Sequence, residues 1–169
     1  MIYLSADHHF NHENIIKICN RPFRNVEEMN KELIRLWNSV VNPEDLVLYL
    51  GDFGFGGKDK LKDICTKLNG SKLLIIGNHD KKQSNSVIRT IGFGDIYNTM
   101  QLDKILLTHK PVINVDKGII NVHGHIHNGN TSQINGYKLK NHFCVSVECT
   151  DYKPLSIDFI KKKFKSAFH

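Results

Sequence analysis

Residues 46–52 read Leu46-Val47-Leu48-Tyr49-Leu50-Gly51-Asp52, a continuous apolar run followed at once by a glycine and a carboxylate. An apolar run of this length, bounded by a turn residue, predicts a buried strand. The same arrangement returns at residues 73–80, where Leu-Leu-Ile-Ile precedes Gly-Asn-His-Asp. Helical patterns at about residues 25–40 and 58–68 lie on either side of the first run. This alternation of strand and helix is typical of a layered α/β domain with parallel pairing.

The rest of the chain extends this pattern in both directions. A first strand is predicted at residues 2–6 and a short helix at about residues 11–19. A further helix is predicted at about residues 81–91. Short strands are then predicted at residues 104–108, 118–122, 143–147 and 155–159, and the polar segment 128–135 is predicted to be a surface loop. The second half is therefore expected to form a second sheet packed on the first, within a single domain of residues 1–169.

Composition and charge indicate which kinds of substrate and which cellular location to expect. The formal net charge is +6, and a basic cluster near the C-terminus contributes to it: Lys161, Lys162, Lys163 and Lys165. Such a cluster can attract an anionic substrate, but a solvated basic tail is the favoured interpretation because no nucleic-acid-binding motif accompanies it. The four cysteines show no CxxC spacing and are expected to be reduced thiols. Without a leader-like start or a long apolar run, the protein is expected in the cytoplasm, with no membrane partner.

The predicted strands end at side chains that can hold a metal ion. These side chains are Asp7, His9, Asp52, Asn78, His109, His125 and His127. Sites in open α/β sheets form where the C-terminal ends of strands converge, so these residues are expected to meet in space. Residues two apart in an extended segment point to the same side, which pairs Asp7 with His9 and turns His8 away. Taken singly, each residue could instead be a turn former or a helix cap.

The types of ligand indicate the kind of metal site. Carboxylate, imidazole and amide groups without a thiolate suit manganese, iron, zinc or nickel in an open catalytic site better than a structural zinc. Seven ligands exceed what one ion needs. Two ions about 3.5–4 Å apart are a known arrangement for in-line displacement at phosphorus.

The same segments resemble a known family, the calcineurin-like metallophosphoesterases. The family pattern of D-x-H, G-D, G-N-H-D/E, a lone H and G-H-x-H occurs here in order, at residues 7–9, 51–52, 77–80, 109 and 124–127. Residues 7–14 and 21–23 further resemble a subgroup of short, single-domain bacterial and phage phosphoesterases. That subgroup commonly has Gly where Asn11 stands.

The resemblance implies a fold, a ligand assignment and a catalytic group. The fold it implies is a four-layer α/β/β/α sandwich with two mixed β-sheets. It also implies that Asp7, His9 and His127 hold one divalent ion, and that Asn78, His109 and His125 hold a second. Asp52 would bridge the two ions, and His79, left without a metal, would stabilise the transition state or protonate the leaving oxygen. Manganese is the favoured ion, with iron, zinc and nickel as alternatives.

Several further residues have a predicted role. His12, Asn14 and Arg21 are candidate contacts to a substrate phosphate, for which the arginine fork is well suited. An open alternative is that Asn14 and Arg21 tie down the loop before the second helix. Asp80, with Gln83 three residues later, is predicted to cap a helix rather than orient His79.

The expected activity is metal-dependent hydrolysis of a phosphodiester, or of a small phosphomonoester, by direct attack of a hydroxide held between the ions. The expected substrate is a small phosphate ester or a nucleotide. A nuclease and a phosphoprotein phosphatase stay open as alternatives on the same site, although no aromatic and basic platform for a nucleic-acid strand is visible. From another class, the chain could be a non-catalytic binding protein that retains the fold. Cleavage of nitrophenyl phosphate esters distinguishes the two classes.

Overall fold

Two mixed β-sheets organise the computed structural model, which describes residues 1–128 and 141–167. The strands of the first sheet are β1 (Ile2–Ser5), β2 (Leu46–Tyr49), β3 (Ser71–Ile75), β4 (Ile96–Tyr97) and β9 (Leu155–Ser156). Their order is β4-β3-β2-β1-β9, and β9 alone pairs antiparallel. The strands of the second sheet are β5 (Thr99–Leu102), β6 (Ile105–Thr108), β7 (Ile120–His123) and β8 (His142–Cys144). Their order is β5-β6-β7-β8, with β5 antiparallel to β6 and the others parallel.

The first four helices follow the predicted pattern with corrected ends, whereas the fifth was not predicted. The helices are α1 (Glu13–Ile18), α2 (Val26–Asn38), α3 (Lys58–Lys67), α4 (Asn85–Ile91) and α5 (Ile157–Lys163). Short 3-10 turns occur at Asp80–Lys82, Val147–Cys149 and Lys165–Ala167. Helix α2 begins where Asn25 accepts a hydrogen bond from the Glu28 amide, as its capping pattern predicts. None of the helices in residues 1–128 and 141–167 is both long and apolar enough to cross a membrane.

Two hydrophobic cores lie on the two faces of the first sheet. Along β2, Val47 and Tyr49 belong to the core under the helices, together with Trp37 of α2. The alternate residue Leu48 belongs to the core shared with the second sheet, which includes Val122. Successive strand residues point to opposite faces, so the apolar run of β2 supplies both cores. These layers confirm the predicted α/β fold with two mixed sheets.

Three predicted elements differ from the structure. The predicted strand at residues 143–147 is wrong beyond Cys144, because a 3-10 turn begins at Val147. The predicted helix at residues 81–91 is wrong at its start, because a 3-10 turn ends at Lys82 and α4 begins only after Ser84. The predicted strand at residues 155–159 is wrong beyond Ser156, whose side chain accepts a hydrogen bond from the Phe159 amide and so caps α5. Strands β4 and β5 were not predicted. The predicted loop at 128–135 lies outside the described residues except for Asn128.

Candidate active site

The loops that follow β1, β2, β3, β6 and β7 bring the seven predicted ligands together. Main-chain hydrogen bonds fix the loops to one another. The Asp7 amide donates to the Gly51 carbonyl, and the Gly124 amide donates to the His109 carbonyl. Because β1 and β2 are parallel neighbours, Asp7 and Asp52 leave the same edge of the sheet.

Asp7, His9 and His127 form the first group of possible ligands. One ligand atom from each lies within 4.8 Å of the other two. His9 Nε2 is 3.9 Å from Asp7 Oδ1, and the rings of His9 and His127 stack with centroids 5.2 Å apart. The structure therefore brings together the three residues predicted to hold one ion.

Asp52, His109 and His125 form a second group of possible ligands. One ligand atom from each again lies within 4.8 Å of the other two. Asn78 joins this group, since its Oδ1 lies 2.9 Å from His109 Nε2. The other ring nitrogen of His109 contacts the Leu50 carbonyl at 2.8 Å, which fixes the orientation of the ring.

Asp52 lies between the two groups. Its Oδ2 atom is 3.7 Å from His9 Nε2 in the first group and 3.5 Å from His109 Nε2 in the second. Its Oδ1 atom accepts a hydrogen bond from the His79 amide at 2.9 Å. One carboxylate oxygen thus faces both groups.

The protonation and hydrogen bonding of these residues fit divalent cations. Asp7 Oδ1 and both ring nitrogens of His9 are buried without a hydrogen-bond partner in the described residues. Burial raises the pKa of Asp7 to about 8. Burial, followed by the charges of His127 and Arg21, lowers the pKa of His9 to about 2. A neutral imidazole and a carboxyl group with an unpartnered oxygen are costly in a protein interior but suited to a cation.

The backbone is strained at the predicted ligands. Five of the seven have a positive φ: Asp7 (59°), His9 (50°), Asp52 (59°), His125 (71°) and His127 (32°). A residue with a side chain in this region costs on the order of 1–3 kcal/mol, and such strain clusters at functional sites. The positive φ angles at these five residues lie in the turns that direct the ligands inward.

Two motif glycines leave room for the carboxylates. A Cβ atom added to Gly77 would collide with Asp52 Oδ1, and one added to Gly124 would collide with Asp7 Oδ2. The glycine that precedes Asn78 and the glycine that precedes His125 are therefore needed for close approach of the chain to the ligand carboxylates.

His79 lies beside both groups. Its Nε2 atom is 3.8 Å from Asp52 Oδ2, and its side chain is 35% exposed. Its ring packs edge-on against His9 and against Phe55. One ligand atom from each of His9, Asp52 and His79 also lies within 4.8 Å of the other two. The position of His79 therefore permits it to act either as a metal ligand or as a proton donor.

Comparison with known proteins identifies the family. A family model described as calcineurin-like phosphoesterase matches residues 1–161. The chain belongs to this family. As a calcineurin-like phosphoesterase it is a metal-dependent hydrolase of phosphate esters, and its Asp and His clusters can hold the metal.

Four known proteins are similar to this chain in sequence or in structure. An uncharacterised protein of Methanocaldococcus jannaschii, MJ1445, is 41% identical over 95% of this chain and 89% of its own length. The gene 66 protein of Mycobacterium phage L5 is 35% identical over 46% of this chain and 39% of its own. A protein of unknown function from Aquifex aeolicus, AQ665, has a TM-score of 0.73 at 27% identity, covering 97% and 99% of the two chains. The nuclease MPE of Pseudomonas putida has a TM-score of 0.52 at 20% identity, covering 75% and 60%.

Two residues of this phosphoesterase site were missed in the sequence. Glu148 Oε1 lies 2.9 Å from His127 Nδ1, and the Ser146 hydroxyl donates to Asp7 Oδ2 at 2.7 Å. Both residues follow β8, and each one contacts the side chain of a predicted ligand. No motif spacing links them to the ligands, because the contacts join segments far apart in the chain.

The predicted substrate contact is wrong for Arg21. Its side chain is buried, and the guanidinium donates to the carbonyls of Asp7 and His8 and pairs with Glu148 at 2.7 Å. A planar fork that fits a phosphate fits a carboxylate equally well. Arg21 therefore fixes the loop that carries Asp7 and His8. This role is similar to the alternative prediction, in which Arg21 ties down the loop before the second helix. Asn14 is exposed on α1, and His12 packs against Phe55 with ring centroids 4.4 Å apart. Their substrate contacts stay predictions.

The predicted helix cap is also wrong for Asp80. Its buried carboxylate accepts hydrogen bonds from the amides of Asp52 at 2.7 Å, Gly77 at 2.8 Å and Phe53 at 3.2 Å. These bonds join the two ligand loops after β2 and β3. Asp80 therefore positions the loop of Asp52 instead of capping a helix.

Two further observations concern residues next to the motifs. His8 is buried in the first core, stacked on Phe10, as its position between two ligands predicts. Asn11 has a φ of 62°, a left-handed conformation that asparagine tolerates and glycine favours. Its side chain donates to the Phe55 carbonyl and accepts from Asn30, which stabilises the loop without a glycine.

Proposed function

We propose that this protein hydrolyses phosphodiesters at a centre of two divalent ions, with manganese as the favoured ion. The observation that carries the proposal is the position of Asp52, whose Oδ2 atom faces His9 at 3.7 Å and His109 at 3.5 Å. A carboxylate shared by two sets of ligands is typical of two-metal hydrolytic sites. Asp7, His9 and His127 would hold one ion, and Asn78, His109 and His125 the other.

When bound, such ions acidify water and neutralise charge on the phosphoryl oxygens. The residues of the chain hold the ligands in position. Asp80 accepts a hydrogen bond from the Asp52 amide and so holds the Asp52 backbone, and the Ser146 hydroxyl donates to the Asp7 carboxylate. Direct attack of water on phosphorus then requires no nucleophilic side chain and no covalent phosphoenzyme.

His79 is the proposed general acid. Its ring lies 5.3 Å from that of His9 and stays partly exposed, so it can reach a substrate held at the centre. A partly exposed imidazole within reach of the substrate can act as the proton donor to the leaving oxygen.

Space around the centre favours a diester. One cavity of about 360 Å³ is lined by Asn78 and His109, and another of about 430 Å³ is lined by His79 and Phe55. A diester carries two substituents on phosphorus and can place one in each cavity, whereas a monoester fills only one. The cavity beside His79 would receive the leaving group, because His79 would protonate its oxygen.

Two assays test the proposal. Manganese-loaded protein should cleave bis-nitrophenyl phosphate faster than mono-nitrophenyl phosphate. If both esters stay intact, the chain is better explained as a non-catalytic binding protein. In isotopically labelled water, a single turnover should place one label in the phosphoryl product, and a trapped covalent phosphoenzyme would contradict direct attack.

A further inference from the structure

Four lysines line the two cavities that flank the candidate centre. Lys81 and Lys110 line the cavity of Asn78 and His109. Lys58 and Lys82 line the cavity of His79. The candidate metal centre is therefore flanked on two sides by a pair of positively charged lysine side chains.

The arrangement follows from one short segment. Asn78 and Lys81 line the first cavity, whereas His79 and Lys82 line the second. Residues 78–82 thus separate the two cavities and present one lysine to each.

These lysines are free to bind an anion. All four are exposed. Lys81, Lys82 and Lys110 form no ion pair with the described residues, and Lys58 has only a long contact of 3.8 Å with exposed Asp59. Exposed contacts of this kind contribute little and exchange readily with another anion.

A third cavity provides a contrast. It has a volume of about 490 Å³, lies beside His125 and His127, and is lined by Cys19 and Glu148. No lysine or arginine is among its lining residues in the described part of the chain. Of the three cavities that contact the candidate ligands or His79, the two that would receive the substituents of a diester are therefore the two lined by lysines.

We propose that the substrate is an oligonucleotide strand, bound with the phosphates on both sides of the scissile phosphate against these lysine pairs. This inference rests on the proposed phosphodiesterase activity. A nucleic-acid strand carries one negative charge per nucleotide, and lysines that contact phosphates provide affinity without reading sequence. A cyclic nucleotide has a single phosphate and leaves both lysine pairs without a partner.

Binding can be tested without catalysis. The full chain, kept metal-free with a chelator, is titrated with fluorescein-labelled thymidine oligomers, and anisotropy gives Kd at several salt concentrations. Each variant pair, Lys81→Ala with Lys110→Ala or Lys58→Ala with Lys82→Ala, should weaken binding. Each pair should also reduce the slope of log Kd against log salt by about 0.7, the value for one neutralised phosphate on a single strand. The matched control is Lys161→Ala with Lys162→Ala, which removes the same charge from exposed positions of α5 outside the two cavities.

A kinetic series separates this inference from the proposed function. With manganese, kcat/KM should rise on the order of tenfold between a dinucleotide with one phosphate and a tetranucleotide with three, and high salt should remove the rise. A flat length series with intact cleavage of bis-nitrophenyl phosphate would overturn the oligonucleotide inference alone. An equal loss of binding in the control pair would overturn it as well, because net charge would then explain the effect. Failure to cleave bis-nitrophenyl phosphate would instead count against the proposed function.

Discussion

The Nδ1 atom of His127 lies 2.9 Å from Oε1 of Glu148, and that carboxylate also pairs with the buried guanidinium of Arg21. Burial alone would lower the pKa of His127, but the hydrogen bond and charge of Glu148 outweigh it and raise the pKa. A carboxylate behind a histidine ligand fixes the ring and leaves the other nitrogen free to bind a cation. Glu148 is therefore expected to act through His127.

The substitution Glu148→Gln tests this relationship. It keeps the size of the side chain and an acceptor for Arg21 but removes the charge next to His127. The affinity for manganese should fall by roughly 10- to 100-fold, as for other residues that support a ligand histidine. Isothermal titration calorimetry measures the affinity, and Glu44→Gln at an exposed position is the control. An unchanged affinity would mean that Glu148 serves only to bury Arg21.

The role of His79 is tested by His79→Ala. As a general acid, His79 should contribute roughly 10²- to 10⁴-fold to kcat, while the manganese content of the variant stays that of the wild type. Kinetics on bis-nitrophenyl phosphate and metal analysis of the same preparation provide the comparison. A loss of manganese that accounts for the whole loss of kcat would show that His79 is a ligand.

The substitution Gly124→Ala tests the need for close packing at Asp7. The new Cβ would collide with Asp7 Oδ2 and lie 2.7 Å from the Ala6 Cβ atom. Such overpacking costs about 1–3 kcal/mol, and displacement of Asp7 should also weaken manganese binding. Urea unfolding and calorimetry measure both effects. Gly94→Ala, whose Cβ meets the tip of the Leu73 side chain at 3.2 Å, should keep the affinity for manganese.

Buried His8 should make stability depend on pH. Burial, followed by the charge of Arg21, lowers its pKa to about 3, so between about pH 3 and 6.5 the folded state binds fewer protons than the unfolded state. His8 therefore stabilises the fold above this range and loses that contribution as the pH falls through it. In His8→Phe the slope of the unfolding free energy against pH should decrease by up to about 1.4 kcal/mol per pH unit. Urea unfolding of the metal-free wild type and variant measures the slopes, and parallel curves would contradict the assignment.

The sequence indicates the candidate site because each predicted ligand directly follows a strand. Asp52 and Asn78 stand next to glycines after buried apolar runs, a pattern visible within a few residues. Parallel pairing of β2 and β3 then places the ends of these runs together. Local pattern and sheet topology together therefore predict the position of the seven residues.

The missed features depend on contacts between distant segments. Glu148 follows His127 by 21 residues along the chain and is brought beside it by the fold. Asp80 matches a local capping pattern with Gln83. In the structure its carboxylate instead accepts hydrogen bonds from amides of the loop after β2. Arg21 has the chemistry of a phosphate ligand, and only its burial shows that its donors are already occupied. Strand β4 has two residues, too few to produce a periodic pattern.

The central claim is that Asp52 bridges two divalent ions, and anomalous X-ray diffraction from crystals grown with manganese tests it most directly. The predicted result is two anomalous peaks beside Asp52, about 3.5–4 Å apart. One should lie among Asp7, His9 and His127, and the other among Asn78, His109 and His125. A single peak, or a peak that Asp52 does not contact, would contradict the two-metal account.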